Sequence, residues 1–103
     1  MATAVSAMGR DGAHQMRDQS AYQRFKLFGH LALDLSELGR SSVLVQRPYA
    51  QPVMYVRIPS GRMLAVLAVP GGRGGWAYLW DGSQWASADG TALAARRIAG
   101  VMR

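Results

Sequence analysis

The chain has 103 residues, half of them hydrophobic and 17% charged, with a formal net charge of +6, twelve glycines and no cysteine. That length holds one domain and not two, and its apolar content is enough to offset ordering entropy, which excludes a largely disordered chain. The missing cysteines exclude disulfides, thiolate metal sites and cysteine nucleophiles, and they favour a reducing, cytoplasmic compartment because small secreted domains often depend on disulfide staples.

Residues 1–18 hold Ser6, Gly9 and Gly12 among scattered charges and show no sustained periodicity. They read as a flexible N-terminal leader, with residues 19–103 forming a single α+β domain. The apolar stretch Ala2–Met8 is too short and too interrupted for a signal peptide. Elsewhere the longest apolar run, Met63–Val69, falls far short of a membrane span, so no membrane association is expected.

Ser20–Leu38 reads as an amphipathic helix. Phe25, Phe28, Leu31, Leu35 and Leu38 recur at three- and four-residue spacing and define one face. Asp18 or Ser20 suits its start, and Gly39 suits the left-handed position just beyond its end. Leu27 and Leu33 fall off this stripe, a pattern expected of a helix packed on two sides.

From Ser41 the period becomes extended. Ser42–Arg47 and Val53–Ile58 read as strands, separated by a Pro48–Pro52 segment whose prolines donate no backbone hydrogen bond. Pro59-Ser60-Gly61-Arg62 has hairpin chemistry. Met63–Val69 is apolar at every position, as in a strand covered on both faces or buried at an interface. The glycine-rich Pro70–Gly75 connection leads to a fourth strand, Trp76–Trp80. Asp81-Gly82 signals a two-residue turn, and Ser83–Ala86 reads as a short fifth strand. A final helix runs from Gly90 to about Val101, with Asp89 as its cap and Leu93, Ala94, Ile98 and Val101 on one face. Arg96, Arg97 and Arg103 lie late in it, where positive charge suits the dipole. The expected fold is therefore α+β: an N-terminal helix, an antiparallel meander of four to five strands and a C-terminal helix, with the helices on one face of the sheet.

Trp76, Tyr78 and Trp80 alternate with Ala77 and Leu79, so the three rings share a strand face. Two readings follow. Large aromatics supply much of a small core, and the same residue types dominate binding hot spots. Arg57 shares a face with Tyr55, and Arg73 sits in the glycine loop. Arginine beside aromatics on a sheet is what single-stranded nucleic-acid binding uses, whereas an arginine bias is also what a GC-rich genome tends to encode. Gly71-Gly72-Arg73-Gly74-Gly75 lacks the Lys-Ser/Thr end and the following helix of a phosphate-binding loop. His14 and His30 have no second ligand at metal spacing, so no metal or other cofactor is expected. Asp34 and Glu37 are helix neighbours without the motif residues of an acid–base enzyme.

The expected function is a small non-catalytic protein-interaction or regulatory module, self-associating as a homodimer or binding another protein. The alternative is a nucleic-acid-binding module using arginines and aromatics on the sheet. The residues expected to carry binding are Tyr55, Arg57, Arg73, Trp76, Tyr78, Trp80 and Trp85.

Overall fold

The computed structural model describes residues 11–101. A long helix α1 (Asp11–Glu37) precedes five strands, β1 (Ser42–Val45), β2 (Val53–Arg57), β3 (Met63–Pro70), β4 (Trp76–Trp80) and β5 (Gln84–Ser87), and helix α2 (Thr91–Ala99) follows them. The strands form one antiparallel sheet in sequential order, and both helices lie on one of its faces, as the residue pattern predicts.

Helix α1 begins at Asp11, nine residues before the expected Ser20. Residues 11–18 of the expected leader are thus helical, and residues 1–10 lie outside the described residues. Apolar periodicity locates a packed face, whereas intrinsic propensity gives no periodic signal, and Ala13, Gln15, Met16, Arg17 and Gln19 are sound helix formers. At the other end Gly39 takes φ +78°. Arg40 N–H donates to Leu35 O at 2.9 Å and Gly39 N–H to Ser36 O at 3.0 Å, closing the helix with the Schellman pattern.

The packed stripe of α1 is Leu27, Phe28, Leu31 and Leu35, with Ala32 beside it. This corrects the expected stripe at three positions. Leu27 joins the core, whereas Phe25 and Leu38 are largely exposed. At about 100° per residue, Leu27 stands closer than Phe25 to the axis through Phe28, Leu31 and Leu35, and Leu38 lies past the helix end. In α2 the buried side chains are Ala94, Ala95 and Ile98, with Val101 packed beyond them, and Leu93 points outward.

The sheet supplies the other half of the core. Met54 and Val56 from β2, Leu64, Val66 and Ala68 from β3, Tyr78 and Trp80 from β4 and Ala86 from β5 all face the helices. Tyr78 is completely buried, its ring 6.4 Å from that of Phe28, and its hydroxyl donates to the Leu27 carbonyl of α1 at 2.7 Å. Burial, with a smaller push from Asp34, raises the phenol far above its ordinary value, so the group stays protonated and remains a donor. In the unfolded chain a tyrosine ionises near about pH 10. The stabilisation from this raised value is therefore full below about pH 10 and lost as pH climbs beyond it. Chemical denaturation from pH 7 to 11 should show stability falling above about pH 10. Tyr78→Phe should lose about 1 kcal/mol at pH 7 and show less of that alkaline fall. An unchanged alkaline fall in the variant would refute this assignment.

The turns depart from expectation in detail. Asp81, Gly82 and Ser83 make a three-residue β4–β5 connection, with Asp81 and Gly82 at φ +55° and +77°. The final helix is not capped by Asp89. That residue belongs to a short 3-10 turn, Ala88–Gly90, in which Ser87 Oγ accepts from Asp89 N–H at 3.1 Å, and Gly90 stands at the start of α2 without a side-chain bond.

Candidate functional site

Strand geometry sends alternate residues to opposite faces, and the face away from the helices is almost entirely apolar. The pairings Val45 to Val53, Leu67 to Leu79 and Leu79 to Trp85 are direct. Continuing the β2–β3 register by one residue sets Val53 opposite Leu67. One apolar row therefore crosses all five strands: Val45, Val53, Leu67, Leu79, Trp85. A second row, Val43, Tyr55 and Ala65, runs beside it. Arg57 is the one charged residue on this face, opposite Met63 near the end of the sheet. No described helix or strand covers the face, and Trp85 at its β5 edge is 60% exposed. Of the two environments expected for Met63–Val69, one face is under the helices through Leu64, Val66 and Ala68. Its other face, Met63, Ala65, Leu67 and Val69, has no cover among the described elements.

The seven residues expected to bind are thereby separated. Tyr55, Arg57 and Trp85 stand on the open face. Tyr78 and Trp80 are inside the protein, where no partner reaches them; of the two readings of the Trp76–Trp80 alternation, the structure takes the core. Trp76 is half-buried on the helix side. Arg73 occupies a short 3-10 turn, Gly72–Gly74, and its side chain lies outside what the structure describes.

Arginines do meet the aromatic rings, but from the helices. Arg24 of α1 places its guanidinium carbon 5.0 Å from the Trp76 ring centroid, and Arg97 of α2 lies 5.4 Å from that of Trp80. Both are cation–π contacts that also anchor helix to sheet. Arg24 Nε donates to Ala68 O at 3.0 Å. The continued β2–β3 register sets Ala68 opposite Pro52, which has no N–H to offer, and the guanidinium occupies the vacant acceptor. Arg97 donates to Trp85 O at 2.8 Å. Arg24 shares the α1 stripe with Phe28, Leu31 and Leu35 by spacing, and that was the available signal for its role.

Tyr49 was read only as part of the Pro48–Pro52 loop. It is fully exposed, with φ +61°, and Ala50 N–H returns to Arg47 O at 3.2 Å. Pro48 at the second turn position and a left-handed residue at the third make a type II pattern, where glycine or asparagine belongs. Replacing Tyr49 with Asn removes this strain without costing packing and should raise the thermal midpoint by about 3–6 °C. A lower midpoint would show that the ring makes contacts worth more than the strain.

Among the described residues no three His, Asp or Glu side chains gather to hold a metal ion, and no helix is long and apolar enough to cross a membrane. His30 is exposed on α1, and Asp34 and Glu37 stand on the same helix. No family model, no curated protein and no solved structure matches the chain.

Proposed function

We propose that this chain is a non-catalytic interaction module that self-associates, two copies stacking the open faces of their sheets. The observation that carries this reading is the apolar row Val45–Val53–Leu67–Leu79–Trp85 across all five strands. Five strands about 4.8 Å apart and four to eight residues long frame about 400 Å² in plan. A single exposed patch of that size marks an interaction site. Side-chain relief adds accessible area to the plan figure, which brings the face to the scale of the roughly 800 Å² per partner of a standard interface.

A second copy suits the face better than most partners. Two twisted sheets pack face to face about 10 Å apart with interdigitating side chains, and a two-fold interface needs a patch complementary to itself. A face with one peripheral charge meets that condition without burying unpaired ions. The cysteine-free composition supports a cytoplasmic setting. Nucleic-acid binding through rings on the sheet has less support, since Tyr78 and Trp80 are enclosed and a stacking platform needs several open rings.

Sedimentation equilibrium across low to high micromolar concentration tests the reading. A dimer mass that dissociates on dilution is expected. A chain that stays monomeric at high micromolar concentration, or one that associates only with a different protein, would overturn self-association.

A further inference from the structure

The strands and helices bring their arginines to one end of the molecule. Arg57 closes β2, Arg62 precedes β3, Arg96 and Arg97 occupy the last turn of α2, and Arg40 follows α1. Two contacts tie these segments together there. Arg57 N–H donates to Ser41 O at 3.1 Å, and Arg40 Nη2 donates to Ala99 O, at the end of α2, at 3.2 Å. Arg62, Arg96 and Arg97 line a single cleft around the edge of Trp80, with Asp81 and Gln84 in the same wall. Arg40 and Arg57 line the neighbouring one. Among the described residues, Asp81 lines the first cleft and Glu37 stands three residues before Arg40, so five guanidinium groups meet two carboxylates there.

Among the described residues these arginines form no ion pair. Where arginine side chains bond among the described residues, they bond to main-chain carbonyls: Arg24 to Ala68, Arg40 to Ala99 and Arg97 to Trp85. A guanidinium has five donors, so Arg97 keeps most of its own, Arg40 keeps its outer nitrogens while its Nε is buried without a partner, and Arg57, Arg62 and Arg96 bond to no acceptor among the described residues. Keeping five cations together with two carboxylates costs self-repulsion, and an external anion relieves it.

We infer that this end binds the phosphodiester backbone of nucleic acid, independently of base sequence. The chemistry favours phosphate, because the planar guanidinium fork fits its oxygens with two parallel bonds. The arginines come from four separate segments, which suits a repeating row of anions more than one small ligand. No open ring lines these two clefts, since their one ring, Trp80, is only 3% exposed. Contacts of this kind set position and affinity and carry no sequence information. This surface meets the open sheet face at Arg57 alone and uses none of that face's apolar residues.

The test is fluorescence anisotropy of the full chain with a labelled random-sequence 20-base-pair duplex at about 50 and 200 mM salt. Neutralising four phosphates predicts an affinity loss of about 100-fold or more between those concentrations. The double variant Arg62→Gln/Arg96→Gln removes side chains that hold nothing inside the protein. It should weaken binding at least about 10-fold and lower the salt slope by about two. Lys26→Gln/Arg47→Gln removes the same charge elsewhere and should weaken binding far less. Three results would each overturn the inference: no binding at low salt, equal losses in the two double variants, or displacement of the duplex by polyglutamate as readily as by unlabelled DNA.

Discussion

Leu67→Glu should convert the proposed dimer to monomer, raising its dissociation constant at least about 1,000-fold while leaving the circular dichroism spectrum and the cooperative thermal transition in place. Leu67 sits on the middle strand, in the middle of the apolar row, so any two-fold stacking of the open faces brings it near its own copy. Two apposed carboxylates in a dehydrated interface repel each other and lose hydration, a cost of several kcal/mol, and about 4 kcal/mol is a thousandfold in affinity. The fold itself is insensitive to the change, because the side chain lies outside the helix–sheet core. Leu33→Glu is the comparison. Leu33 is 62% exposed on the outer side of α1, which also carries the exposed Tyr22 and Phe25. That helix surface is a second exposed apolar stripe among the described residues. Sedimentation equilibrium on both variants therefore discriminates between them: dissociation by Leu33→Glu with an intact dimer in Leu67→Glu would place the interface on the helix.

The second large effect lies inside. Phe28→Ala should destabilise the protein by about 3–5 kcal/mol, against a total of about 5–15 kcal/mol for an ordinary domain. It should be partly unfolded at 37 °C. Phe28 is fully buried against Tyr78, and truncation leaves a cavity that two secondary-structure elements cannot close together. Phe25→Ala, three residues earlier and 39% exposed, should cost less than about 1 kcal/mol. Urea denaturation of the pair measures the difference. Near-equal losses would mean that the α1 orientation described here is wrong.

That pair also marks where the sequence was readable. The strands, their meander and the packing of both helices on a single face follow from period-two patterning and from Gly61, Asp81 and Gly82 at the turns. The burial of Tyr78 and Trp80 was one of two readings that alternation alone cannot separate, since the aromatic face of β4 and its Ala77/Leu79 face are both apolar. Deciding between them requires knowing which face the helices take. Helix α1 was harder for a related reason. Tyr22, Phe25 and Leu33 lie on one side and Leu27, Phe28, Leu31 and Leu35 on another, so spacing admits stripes that mix the two. The arginines of the basic end are far apart in sequence, from Arg40 to Arg97, and only the meeting of strand ends and helix ends brings them together. Arg24 was legible in principle, through its place on the packed stripe, but a charged residue on an apolar stripe suggests nothing until Pro52 leaves a carbonyl unpaired.

The bond from the Tyr78 hydroxyl to the Leu27 carbonyl bears on how such a helix finds its seat. A helix with two apolar sides has two ways to cover a sheet, and hydrophobic burial alone discriminates poorly between them. Docked through Tyr22, Phe25 and Leu33, α1 would turn the Leu27 carbonyl and Arg24 away from the sheet. The Tyr78 hydroxyl would then be enclosed without an acceptor, a penalty of about 1–3 kcal/mol, and the Ala68 carbonyl opposite Pro52 would lose its donor as well. Two polar contacts therefore act as a key for rotational choice. Tyr78→Phe removes one tooth of that key, and its sharpest consequence is a folded population in which the helix occupies more than one orientation.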